Sequence, residues 1–218
     1  MMLKTIVIAA GSPEISFEAL PEISGEVIWA GADRGVYHLL KAGIVPEQAF
    51  GDFDSLADEE LEWVRSKLEP MQIKIYPKEK DKTDLELAVE WALAEPETDA
   101  VHIIGATGGR LDHTMSNIQL LLKGVEANIP IILSDAFNRL ELLIPGSYET
   151  ARKPGYDYIS FLPFTEKVEG LTLNGFKYPL KNETIRWGAT LTVSNELAAE
   201  NGTFSFKTGI LLVIKSKD

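Results

Sequence analysis

The chain has 218 residues, 45% of them hydrophobic and 25% charged, an ordinary globular balance that allows a buried core in one large or two small domains. Its 33 acidic side chains against 21 basic ones leave a net charge of −12, which repels a nucleic-acid backbone and excludes nucleic acid as an expected partner. The absence of cysteine rules out disulfides and thiolate metal sites and fits a cytoplasmic setting. No apolar run approaches ~20 residues, so neither a membrane span nor a membrane partner is expected.

The opening stretch, MMLKTIVIAAGSPEIS, lacks the longer apolar segment and cleavage pattern of a secretory signal and reads as a first strand over 5–10. Further strands are predicted at EVIWAG (26–31), QAFGD (48–52), QIKIY (72–76), AVHIIGA (100–106) and IPIILS (129–134). Between them lie helical patterns: RGVYHLLKAG (34–43), with Gly43 placed to end it, then ADEELEWVRSKL (57–68), TDLELAVEWALAE (83–95) and DHTMSNIQLLLKG (112–124). Strands alternating with helices of this length predict an α/β domain with a mainly parallel sheet over residues 1–135. Ligands of such sheets bind beyond the carboxyl ends of the strands.

From residue 136 to 218 the helical period fades. YDYISFLPF, KVEGLTLNGF, ATLTVSNEL and GTFSFKTGILLVIKS alternate with turn residues such as Gly146, Pro154, Gly155, Gly170, Gly175, Gly202 and Gly209. Short strands at this spacing predict a smaller carboxyl-terminal β-sandwich domain.

The stretch GDFDS sets Asp52 and Asp54 two positions apart. On an extended backbone, such residues face the same way about 6.6 Å apart, so both carboxylates can serve one site. Ser55 and Asp58 are candidates to cap the next helix, and the plainer explanation of Asp54 is a turn or cap. A second acidic pair, Asp81 and Asp84, stands at another strand-to-helix junction, KDKTD. There Thr83 and Glu86 fit a capping box, and Asp84 in the first turn suits the helix dipole. Four carboxylates converging on one sheet edge would repel one another, and a hard cation removes that penalty. Mg2+ takes oxygen ligands at about 2.1 Å and commonly bridges carboxylates to phosphates.

The segment HIIGATGGRLDHTMSN reads as a strand, a glycine-rich loop and a helix. Gly108 and Gly109 permit close backbone approach, the helix amino terminus suits an anion, and Arg110 can add a bidentate contact. The alternative is a glycine-rich turn with Asp112 as the helix cap. It is neither a Walker loop nor a dinucleotide fingerprint. Asp33, after Gly31 on the same sheet edge, serves either as a cap or as a nucleotide contact. His38, His102 and His113 show no metal-ligand spacing, and only His113 stands beside the glycine loop. No serine elbow or cysteine offers a covalent nucleophile.

GADRG, GDFDS, KDKTD and GATGGRLDHTMSN in this order, followed by GFKYPL and TVSNE, resemble the thiamine pyrophosphokinase family over residues 29–216. The resemblance implies an ATP-binding α/β domain with Mg2+, a β-sandwich domain, and a homodimer holding thiamine at its interface. It implies ATP as co-substrate, with its diphosphate transferred to the thiamine hydroxyl to give thiamine diphosphate and AMP. Carried over by position, Asp52, Asp54, Asp81 and Asp84 form the catalytic and metal site. Asp33, Gly108, Gly109, Arg110, Asp112 and Asn117 contact ATP, while Tyr178, Ser194 and Asn195 contact thiamine. Arg34 stands where the family more often has glycine, and Trp187 is either a dimer or a core aromatic. Two readings remain beside this one: a pyrophosphokinase of another primary alcohol such as a hydroxymethylpterin, and a non-catalytic nucleotide or thiamine binder.

Overall fold

The computed structural model describes residues 3–20, 23–75, 81–152 and 154–218. Tyr76, the end of one predicted strand, lies outside them. The chain divides into two compact units, Met1–Ala136 and Phe137–Asp218.

The first unit is built on β1 (Lys4–Ala9), β2 (Glu26–Ala32), β3 (Gln48–Gly51), β4 (Ile73–Ile75), β5 (Thr98–Ile104) and β6 (Ile131–Ser134). Their order is β4-β3-β2-β1-β5-β6 and every pairing is parallel. Ile6, Val7, Ile8 and Ala9 are all fully buried, as a strand covered on both faces requires. Helices α1 (Arg34–Lys41) and α3 (Asp84–Ala94) supply the two covers. Ala49 packs with Val36 of α1, whereas the ring of its neighbour Phe50 lies 5.7 Å from that of Trp91 on α3. Successive strand residues face opposite ways, so α1 and α3 lie on opposite faces of the sheet. The order reverses between β1 and β5, which opens a crevice at their carboxyl ends.

The structure differs from the sequence expectations at three local points. Helix α2 (Asp58–Arg65) is preceded by Ala57 at its cap position; Ser55 and Asp58 do not cap it, and Glu60 accepts from the Ala57 N–H at 3.1 Å. The single helix predicted over 112–124 is two, α4 (Leu111–Gln119) and α5 (Leu121–Ala127), hinged at Leu120. Arg110, not Asp112, occupies the α4 cap position. Thr83 does cap α3, accepting from the Glu86 N–H at 3.1 Å.

The second unit is a sandwich of two antiparallel sheets. One runs β7 (Asn138–Leu143), β13 (Leu211–Ser216), β9 (Tyr158–Pro163). The other runs β11 (Leu180–Arg186), β10 (Lys167–Asn174), β12 (Asn201–Phe206), β8 (Gly146–Ala151). Between them Phe161 of β9 meets Phe204 of β12 with ring centroids 5.0 Å apart, in a core shared with Leu171, Leu173 and Val213. ATLTVSNEL, read as a strand, is instead an irregular segment that touches its neighbours through isolated bridges at Asn195 and Leu197. Ser194 adopts φ +55°, which breaks the extended run, and the Thr192 hydroxyl turns inward to donate to the Phe161 carbonyl. Among the described residues, no helix is long and apolar enough to cross a membrane.

Candidate active site

The crevice at the strand-order reversal is a cleft of about 290 Å3 within the first unit. The loop after β1 (10–13), the end of β2 (Ala32, Asp33), the start of α3 (Thr83, Asp84), the loop after β5 (105–110) and one side of α4 (His113, Ser116, Asn117) line it. The two central loops are joined by backbone bonds, Ala10 N–H to Ile104 at 2.8 Å and Ser12 N–H to Gly105 at 2.9 Å.

Gly108 and Gly109 take φ of +83° and +71°, consecutive left-handed residues that a side chain would disfavour, and they turn the loop into the start of α4. Asn117, one turn and more into that helix, donates through Nδ2 to the Ala106 carbonyl at 2.8 Å and pins loop to helix. Arg110 is engaged in a fork with Asp112, Nε to Oδ1 at 3.1 Å and Nη2 to Oδ2 at 2.6 Å. The guanidinium holds the Asp112 carboxyl down at about 2, so both partners of this exposed pair are charged through the neutral range. Arg110 therefore meets an anion as one half of a pair.

Asp33, Asp52 and Asp54 each offer a carboxylate oxygen, and these oxygens lie within 4.8 Å of one another. Asp33 reaches this position through a backbone of φ +51°, ψ −126°, held by its N–H to the Phe50 carbonyl at 2.7 Å. A Cβ at Gly51 would come within 3.3 Å of the Asp33 Cα, so glycine lets the two loops meet. Burial raises the Asp33 pKa above its usual value, the negative charges of Asp84 and Asp54 raise it further, and the hydrogen bond from Ser55 opposes both. Ser55 Oγ donates to Asp33 Oδ1 at 2.7 Å, so this serine orders the carboxylate cluster instead of starting a helix. Asp84 lines the cleft beside Asp33, whereas Asp81 is exposed and, among the described residues, joins neither the three-carboxylate group nor the cleft lining.

Two contributions escaped the sequence reading. Arg34 donates to the Ser55 carbonyl at 2.9 Å and to Glu60 Oε1 at 2.8 Å, which ties the amino terminus of α1 to the loop that bears Asp52 and Asp54. Ser12 lines the cleft opposite Gly108, and AAGSPE after the first strand was the available signal. His38 and His102 do not line the cleft; His113 does.

In the second unit, Tyr178 is 55% exposed and Ser194 is exposed, whereas Asn195 is buried at 2%. Trp187, 67% exposed, is not a core aromatic.

Residues 21–133 match the family described as thiamin pyrophosphokinase, catalytic domain, and residues 148–211 match thiamin pyrophosphokinase, vitamin B1 binding domain. Thiamine pyrophosphokinase of Bacillus subtilis is 47% identical over 220 residues, covering 99% of this chain and all of the relative. The crystal structure of thiamine pyrophosphokinase from Bacillus subtilis superposes with a TM-score of 0.88 at 46% identity, covering 98% of this chain and 99% of that one. That of the Geobacillus thermodenitrificans enzyme gives 0.85 at 44% identity, covering 98% of each chain.

Proposed function

The chain belongs to the thiamine pyrophosphokinase family, and we propose that it transfers the diphosphate of ATP to the hydroxyl of thiamine, releasing AMP. The observation that carries this reading is the juxtaposition of three carboxylates, Asp33, Asp52 and Asp54, with a cleft whose far wall is a glycine loop and a helix amino terminus. The match of residues 148–211 to a vitamin B1 binding domain favours thiamine over another primary alcohol.

An oxygen-only donor set with a half-buried, charge-crowded member, Asp33, fits a hard cation such as Mg2+. Asp33, Asp52 and Asp54 would hold it directly, with Asp84 and Asp81 acting through water. Bound there, the cation would neutralise the phosphate charge that the acidic surface otherwise repels. The chain's own part is positioning. Backbone N–H groups at Gly108, Gly109 and the first turn of α4 receive phosphate oxygens, and the Arg110–Asp112 pair and Asn117 fix the loop that presents them. Phosphoryl transfer of this kind asks for alignment and charge stabilisation more than for a covalent protein intermediate.

The second unit supplies the thiamine contacts, Tyr178 and Ser194 foremost. It also carries the contact between two copies in a homodimer, which the exposed apolar side chains of Trp187, Leu191 and Val193 support.

With thiamine and ATP, AMP forms only when both thiamine and Mg2+ are present, and chelation abolishes it. AMP formation that follows a hydroxymethylpterin and ignores thiamine would overturn the assignment.

Asp33→Asn separates stability from activity. Because folding raises the Asp33 pKa, the ionised carboxylate at neutral pH lowers the stability of the metal-free protein. That penalty is absent below the unfolded value of 3.8 and sets in as pH rises through the folded value. Asparagine removes the charge and keeps an acceptor for Ser55. The metal-free variant therefore melts at or above the wild-type temperature at pH 7 while turnover is lost. A variant that melts lower with turnover intact would remove Asp33 from the cluster's function.

A further inference from the structure

Asn195 is 2% exposed, and its side chain is committed to the backbone of its own unit. Oδ1 accepts from the Tyr178 N–H at 3.1 Å and from the Glu196 N–H at 2.9 Å, and Nδ2 donates to the Tyr178 carbonyl at 2.9 Å. Its own N–H and carbonyl pair with Ile159 of β9, at 3.1 and 2.7 Å. The amide thus reproduces a strand partner for residue 178, where no ladder continues, and welds that backbone to the sandwich.

The held residue is the reverse of buried. Tyr178 stands 55% exposed, and Lys177 beside it is anchored to Glu196 at 2.7 Å, with its ammonium 5.6 Å from the Tyr178 ring. A large aromatic side chain kept in solvent by a buried, doubly bonded clamp is a preorganised platform. Its backbone loses little further entropy when a flat ligand stacks on it.

We propose that Asn195 is a positioning residue for thiamine recognition: it acts through Tyr178, fixing the backbone that presents the ring, and its amide does not bind the aminopyrimidine. This rests on the reading that Tyr178 meets thiamine. The family resemblance made Asn195 a ligand contact, but its amide is 2% exposed and bonded to the chain through both Oδ1 and Nδ2.

A double-mutant cycle on the full-length enzyme tests it, with KM for thiamine, KM for ATP and melting temperature measured for Asn195→Ala, Tyr178→Ala and the double variant. Asn195→Ser, a smaller neutral side chain whose single hydroxyl cannot replace all the bonds of the amide to residue 178, stands in if the alanine variant does not fold. Asn195→Ala is expected to raise the thiamine KM by roughly tenfold, the scale of one lost hydrogen bond, with the ATP KM unchanged. In the Tyr178→Ala background the same substitution leaves the thiamine KM within about twofold, because there is no ring left to position. If Tyr178→Ala raises the thiamine KM and Asn195→Ala still multiplies it in full, Asn195 touches the ligand itself and the proposal fails while the thiamine subsite stands. If neither single variant moves the thiamine KM, the subsite reading fails and takes the proposal with it.

Discussion

Asp54→Asn lowers thiamine-dependent AMP formation by about 10²–10³-fold, the scale of losing one preorganised electrostatic contact to the transferred group, and leaves the fold intact. Asp54 is exposed, and its backbone N–H donates to Asp52 Oδ1 at 3.2 Å, a bond that survives the substitution. Its charge helps push the Asp33 pKa upward, so its removal relieves repulsion within the cluster and does not destabilise the protein. What is lost is the negative charge on one of three carboxylates whose oxygens group within 4.8 Å. Asp81→Asn is the informative contrast. Asp81 stands in solvent outside that group among the described residues, so its loss weakens turnover by much less. Equal losses at the two positions would mean that the grouping of Asp33, Asp52 and Asp54 does not mark the metal site; near-wild-type activity in Asp54→Asn would remove that residue from it.

Gly35→Ala unfolds the first unit's central contact. A Cβ at Gly35 would sit 2.0 Å from the Ala9 carbonyl oxygen and 2.9 Å from that of Ala10. Both are backbone atoms at the end of the central strand β1, so no side chain can swing away, and α1 must be displaced from the sheet. Overpacking of this kind is expected to destabilise by about 3 kcal/mol or more. For a chain of this length that lowers the melting temperature by roughly 6–12 °C. Because Asp33 and Arg34 immediately precede Gly35, activity falls with stability. Gly43→Ala is the control: its φ of +78° carries a conformational penalty of about 1–2 kcal/mol, but an added Cβ meets nothing within 4 Å. Similar small losses at both positions, by thermal or denaturant unfolding, would show that α1 does not rest on β1 as closely as described.

The α/β half was legible because its signals are local. TIVIAA is apolar without alternation, as a strand covered on both faces demands, and Thr83 with Glu86 marks the start of α3 within four residues. The segment 189–197 misled for the same reason. Its β-branched residues and alternating polarity look like a strand, but Ser194 turns left-handed and Asn195 spends its side chain on residue 178, decisions made by tertiary partners 17 and 34 positions away. In the candidate site, D-x-D spacing suggests that Asp52 and Asp54 face one place, and their carboxylate oxygens group within 4.8 Å. That Asp33 completes the group could not be read, since it depends on an Asp33 N–H bond to Phe50 and a Ser55 bond spanning 22 positions. Arg34 was invisible as a support for that loop, because an arginine at the start of a helix has no sequence mark that distinguishes a solvent-facing side chain from one bonded to Ser55 and Glu60.

Phosphorus NMR of the protein with ATP, Mg2+ and thiamine reads the transferred group directly. Equimolar AMP and thiamine diphosphate are expected, with no ADP and no free diphosphate ahead of them. ADP with thiamine monophosphate, or AMP with free diphosphate in proportion, would contradict diphosphate transfer to thiamine at this site.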